Sequence, residues 1–169
     1  MGRQSVKANK SVYQLFREDA GLTREAASDQ MIGVSPSRIE KIENGQDPTP
    51  YDILQMSKCY KHPELCNIYC TQKCDIGAKY VPAVESTELP SIILETIASL
   101  NDIQPLTSRL IEITRDGKIS DEEIRDFAII QKKLSKISAA TTALQLWADK
   151  MIYEKNINEE IMKAVKETI

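Results

Sequence analysis

Caps and breakers recur so closely between Ser11 and Gly77 that no helix in that stretch can run far. Ser11, Thr23, Ser35 and Thr49 carry the side-chain oxygens that satisfy free N–H groups at a helix start. Pro36 and Pro50 follow two of them directly, at the first helical position, where a missing N–H costs nothing. Gly21, Gly33 and Gly45 stand where helices should stop. The pattern predicts helices opening at Ser11, Thr23, Ser35 and Thr49, and a fifth from Pro63 that ends near Gly77. Their core-facing residues read as Val12, Leu15 and Phe16, then Ile39 and Ile42, then Ile53, Leu54, Met56 and Cys59. Helices this short are not stable alone, so they must pack together.

The second half has a different rhythm. Residues 78–89 (AKYVPAVESTEL) read as a linker, with Pro82 and little periodicity. One helical arm is predicted from Pro90 to Arg115, split near Gln104 by Pro105. Asp116, Gly117 and Lys118 form a turn, and Ser120 with Glu123 makes a capping box for the next arm, predicted over Asp121–Lys155. Phe127, Ile130, Leu134, Ile137, Thr141, Leu144, Ala148 and Met151 alternate by three and four along it, the seam of a coiled coil or bundle. A short last helix follows from Asn158. A homodimer through residues 90–155 would bury stripes of this length economically.

Composition narrows the class. Of 169 residues, 41% are apolar, enough for a core, while the 5% aromatic content and six glycines argue against a many-stranded β fold. No apolar run reaches the roughly 18 residues of a membrane helix. The first residues lack a signal-peptide core, so the cytoplasm is the expected location and no membrane partner is expected. A single histidine, His62, excludes mechanisms needing two, including most catalytic zinc sites. With no Ser–His–Asp set and no phosphate-binding glycine loop, no enzyme is expected. The net charge of −3 argues against a generic polyanion binder, yet residues 1–77 are neutral and residues 78–169 hold the excess acid. The first seventeen residues carry Arg3, Lys7, Lys10 and Arg17 with no acid, so any nucleic-acid contact should be local and N-terminal.

That contact has a natural seat in residues 21–45, GLTREAASDQMIGVSPSRIEKIENG. With Ile39 and Ile42 facing the core, the helix after Ser35 turns Ser37, Arg38 and Lys41 outward. These side chains can donate to base edges, and Thr23 and Arg24 suit a phosphate. The same face carries Glu40, an acid that sits badly near phosphate unless it meets a cytosine amino group. Gly21-Leu22-Thr23, Gly33-Val34-Ser35 and Ile39-x-x-Ile42-Glu43-Asn44-Gly45 resemble the XRE type of helix–turn–helix, that of Cro and the phage repressors. The resemblance covers about residues 11–65. It implies an all-α protein whose five-helix, lambda-repressor-like domain over 1–77 binds double-stranded DNA. A long helical hairpin or bundle over 90–169 would serve dimerisation or regulation. It also implies a transcription regulator, usually a repressor on a palindromic operator. By resemblance, Pro36, Ser37 and Lys41 are base-facing, while Asn44 and Gln46 lie where the backbone after the recognition helix nears phosphate. Thr23 through Ser35 spans thirteen residues, one more than is common in the family. The extra residue would lengthen the second helix or loosen the turn.

Cys59, Cys66, Cys70 and Cys74 fall within sixteen residues, near one face if the helix were continuous. Core packing, a reversible disulfide such as Cys70–Cys74, and a metal or redox site all remain open, although Pro63 interrupts the helix and no C-x-x-C knuckle is present. Residues 63–77, PELCNIYCTQKCDIG, look like a stretch of XRE-type regulators from Gram-positive bacteria, a likeness that implies no cofactor. Neither a cofactor nor a metal is expected. The competing functional readings are an antirepressor-like or antitoxin-like interaction module and a cysteine-based sensor.

Overall fold

The computed structural model describes residues 9–84 and 88–168. Arg3, Lys7 and the centre of the expected linker, residues 85–87, lie outside them. The protein is all-helical, with a helix–turn–helix domain at its N-terminal end and a long C-terminal helix. In order, α1 is Val12–Asp19, α2 Arg24–Gln30, α3 Pro36–Glu43, α4 Pro50–Tyr60, α5 Glu64–Gln72 and α6 Asp75–Tyr80. Then come α7 Leu89–Ile103, a 3₁₀ turn Gln104–Leu106, α8 Thr107–Ile113, α9 Ile124–Tyr153 and α10 Glu159–Thr168.

Local chemistry sets the helix starts. The Ser11 Oγ accepts from the Gln14 N–H (3.3 Å), Thr23 Oγ1 from Ala26 (3.1 Å) and Ser35 Oγ from Arg38 (3.2 Å). Thr49 and Asp52 complete a reciprocal capping box.

The fifth helix does not run on to Gly77. It stops at Gln72, and Cys74, in an extended conformation, caps a sixth helix by accepting from the Gly77 N–H at 3.4 Å. The helix break carries no proline or glycine of its own, which is why the sequence pattern runs through it. Two assigned core residues also point outward: Leu15 is 51% and Leu54 50% exposed. The inner face of α1 is instead Tyr13, Gln14 and Arg17, with Val12 and Phe16 packed alongside.

By packing, the chain divides between Val81 and Pro82 and again between Trp147 and Ala148. The first unit takes the two outer segments, and within it Lys150 of α9 acts electrostatically on Glu64 of α5. Its core joins Ala27 of α2, Met31 and Val34 of the turn, Ile39 and Ile42 of α3, Ile53, Met56 and Tyr60 of α4, and Leu65 of α5. His62 is buried there. Its ring stacks on Phe16 and bonds Glu64 through Nδ1 (2.8 Å) and Asp19 through Nε2 (3.0 Å). Burial acts to raise the Glu64 pKa, but the bond to His62 and the nearby charges outweigh it and hold that carboxyl below its ordinary value.

In the second unit, the break at Pro105 is the expected one. Arg109 of α8 bonds Asp126 of α9, and Asp102, seven residues earlier, bonds Lys133, seven residues later. That reciprocal register makes the two arms an antiparallel hairpin. Ile92, Ile113, Ile130, Ala140 and Ala143 are buried in this unit, whereas Ile93, Leu94, Ile97 and Leu100 of α7 stay exposed. Among the described residues, no helix is long and apolar enough to cross a membrane.

Candidate nucleic-acid interface

The helix–turn–helix is α2, the turn 31–35 and α3. Helix α2 ends at Gln30 and α3 starts at Pro36, so residues 31–35 form the turn. Met31 and Val34 are buried on either side, and Ile32, 75% exposed, is the residue that protrudes. Gly33 takes φ +73°, a left-handed conformation that a side chain would strain. The backbone of Ile32 is held from α4: its N–H donates to Gln55 Oε1 (3.1 Å) and its carbonyl accepts from the Tyr51 hydroxyl (3.0 Å). Ser28 Oγ donates to the Val34 carbonyl (2.8 Å), tying the end of α2 to the start of α3.

One face of α3 is buried and the other is polar. Ile39, Ile42 and Glu43 are inside. Ser37, Glu40, Lys41 and Asn44 are exposed at i, i+3, i+4 and i+7, a single outward stripe with no apolar residue. Among the described residues, no ion pair uses Lys41. Pro36 fills the first helical position, and Ser35 is spent on the cap. Asn44 ends the helix, Gly45 follows at φ +105°, and the Gln46 N–H donates to the Lys41 carbonyl (2.9 Å). Thr23 stands exposed at the start of α2.

The arginines are committed elsewhere than sequence alone suggests. Arg38 leaves the outward stripe and turns to α4: Nη2 donates to Asp52 Oδ2 (2.7 Å) and to the Asp47 carbonyl (3.2 Å). Arg24 donates through Nε to Glu43 Oε2 (2.9 Å) and through Nη1 to Glu40 Oε1 (2.9 Å). Arg17 is buried and grips the same Glu43 carboxylate, Nε to Oε1 (2.6 Å) and Nη2 to Oε2 (3.1 Å). Burial disfavours its charge, but the bonds and charge of Glu43 prevail and raise its pKa. Lys10 is held by Glu18 at 2.6 Å. The expected free basic run at the N-terminus is therefore half used up by internal pairs, since Lys10 and Arg17 already have partners. Sequence reasoning missed Glu43 as the shared anchor; its place beside Asn44 and Gly45 in the matching motif was the available signal.

Asp52 ties the cap of α4 to Arg38. Burial acts to raise its pKa. The Arg38 guanidinium, the Thr49 N–H and the Thr49 hydroxyl together outweigh that and hold it below the ordinary carboxylate value. A carboxylate whose folded pKa is depressed stabilises the fold above its unfolded pKa and loses that contribution as pH falls through the folded one. Asp52→Asn is accordingly expected to cost about 1–3 kcal/mol at neutral pH. The gap from wild type should be smaller in acid, where Asp52 is protonated in the folded protein, than at neutral pH. Urea unfolding of both proteins at the two pH values checks this; an equal gap at both would show that the charge of Asp52 contributes nothing.

The four cysteines are free thiols, each half-buried. Cys59 Sγ lies 3.7 Å from the Ala27 carbonyl, and burial pushes its pKa up. Burial, then the neighbouring Cys74 and Cys66, raises that of Cys70. Raised thiols are poor nucleophiles and poor metal ligands. Among the described residues, no group of three or more His, Cys, Asp or Glu is placed to hold a metal ion.

Residues 14–62 match the family model described as helix-turn-helix, of the XRE family, and this match supports a DNA-binding regulator of transcription. No curated protein and no solved structure matches the chain.

Proposed function

We propose that the chain is a sequence-specific transcriptional repressor that acts in the cytoplasm and occupies a palindromic operator as a homodimer. One observation carries this reading: α3 has its back ion-paired and packed in place while its front presents Ser37, Glu40, Lys41 and Asn44. A helix so placed can enter a major groove, where Lys donates to guanine O6 or N7 and Ser serves several bases. In this reading Ser37 and Lys41 contact base edges, Pro36 starts the helix in the groove, and Ser35 caps it. Thr23, Asn44 and Gln46 lie toward the DNA backbone, as does the Nη2 of Arg24. Arg38 sets the first turn of α3 against Asp52.

The second unit, residues 82–147, serves dimerisation or regulation. Support comes from α7, where Ile93, Ile97 and Leu100 recur at i, i+4 and i+7 with 39%, 51% and 50% of their surface exposed. A seam of that spacing suits a second copy of the chain. A two-fold dimer would present its two α3 helices about 34 Å apart.

Sheared genomic DNA retained by the purified protein at two salt concentrations tests the reading. A few enriched sites sharing a palindrome are expected, their half-site spacing giving the dimer geometry. Sequence-blind retention that vanishes at higher salt would leave only phosphate attraction and would turn the search to a protein partner. On the enriched site, Lys41→Ala should weaken binding by about 1–3 kcal/mol while changing affinity for random DNA much less. Unchanged discrimination would mean that α3 sits in another register.

A further inference from the structure

Glu40 is the one acid on a stripe that must face a polyanion, and it stands at the centre of that stripe, three residues after Ser37 and directly before Lys41. An uncompensated carboxylate there would oppose binding. The structure compensates it. Arg24 donates to Oε1 of Glu40, and the same guanidinium is fixed from behind by Glu43, whose side chain is 1% exposed. Glu40 itself keeps a 54% exposed side chain. Its charge is thus balanced by a cation outside the stripe, and one of its oxygens is held. Oε2 has no hydrogen-bond partner among the described residues.

An ionised carboxylate only accepts hydrogen bonds. The major groove offers it two kinds of donor, the amino groups of cytosine and adenine. Adenine sets its N7 acceptor beside that amino group, which repels a carboxylate, whereas cytosine has no such acceptor on its own edge. We propose that Glu40 is a specificity-determining residue whose Oε2 accepts from a cytosine N4 amino group at a fixed position of each half-site, with Oε1 held by Arg24. This rests on α3 being a major-groove helix. Lys41, next in sequence, would then favour guanine beside it, so the half-site should hold a G·C-rich step under the middle of α3.

The test is selection from a random-sequence duplex library with the full chain, run in parallel on wild type, Glu40→Gln and Glu40→Ala. Wild type should return a motif with a cytosine favoured roughly five- to hundred-fold at one position of each half-site. Glu40→Gln should keep the rest of the motif and move that position toward adenine, whose N6 and N7 a Gln amide can bind together. Glu40→Ala should leave that position unspecified. The same cytosine preference in both variants, or a uniform loss of affinity with the motif intact, would overturn the assignment and leave Glu40 as a partner of Arg24 alone. No motif from wild type would overturn the regulator reading, and this inference with it.

Discussion

Glu43→Ala should destabilise the first unit by about 3–5 kcal/mol, because it strands a buried guanidinium. The Arg17 and Glu43 side chains are 8% and 1% exposed and are joined by two bonds across 26 residues of sequence. Without the carboxylate, Arg17 keeps, among the described residues, only the Leu22 carbonyl, at 2.6 Å on Nη1. Arg24 loses its inner partner as well. Small domains are stable by about 5–15 kcal/mol in total, so this one change would consume a large share. Glu43→Gln, which keeps the shape and one acceptor, should fall between wild type and Ala. Glu40→Ala, removing an exposed partner of Arg24, should cost no more than about 1 kcal/mol. Urea unfolding midpoints of the three variants measure the order. A Glu43→Ala loss below that of Glu40→Ala would mean that Arg17 escapes to water.

Gly77→Ala sets two effects against each other. Glycine in a helix costs roughly 1 kcal/mol relative to alanine, so propensity alone would make the variant more stable. Packing opposes this. A Cβ at position 77 would lie 2.2 Å from the Cys70 carbonyl oxygen, 2.7 Å from its carbon and 2.9 Å from its Cα. All three are backbone atoms of α5, so no side chain can swing aside. Overpacking of this kind typically costs about 1–3 kcal/mol and at times more. We expect packing to win, with α6 displaced from α5 and the Cys74 cap lost. The variant should show a lower unfolding midpoint and faster hydrogen exchange at the amide of position 77, which in the wild type donates to Cys74. A variant more stable than wild type would show that α6 yields without cost.

What could be read in the sequence was the chemistry that acts within a turn or two. The caps at Ser11, Thr23, Ser35 and Thr49 all hold, because a hydroxyl and an N–H three residues on need nothing from the rest of the chain. The break at Pro105 and the turn at Gly117, φ +72°, follow for the same reason. What the sequence hid was pairing at a distance. Nothing near Arg17 distinguishes a buried arginine from a surface one; its partner lies on α3. Arg38 likewise reads as an outward donor until α4 brings Asp52 beneath it. Leu15 and Leu54 read as core residues because a short helix admits more than one apolar phase, and only the neighbouring helices choose. The start of α6 escaped because a thiol, not a hydroxyl, caps it.

Attachments from the side, by Tyr51 and Gln55 of α4, hold the turn at Ile32, while Arg38–Asp52 and Arg17–Glu43 hold α3 itself. Ser28–Val34 and Arg24–Glu43 tie it to α2 as well. The aim of α3 is therefore fixed by cross-links to α1, α2 and α4 together, and not by the backbone of the turn alone.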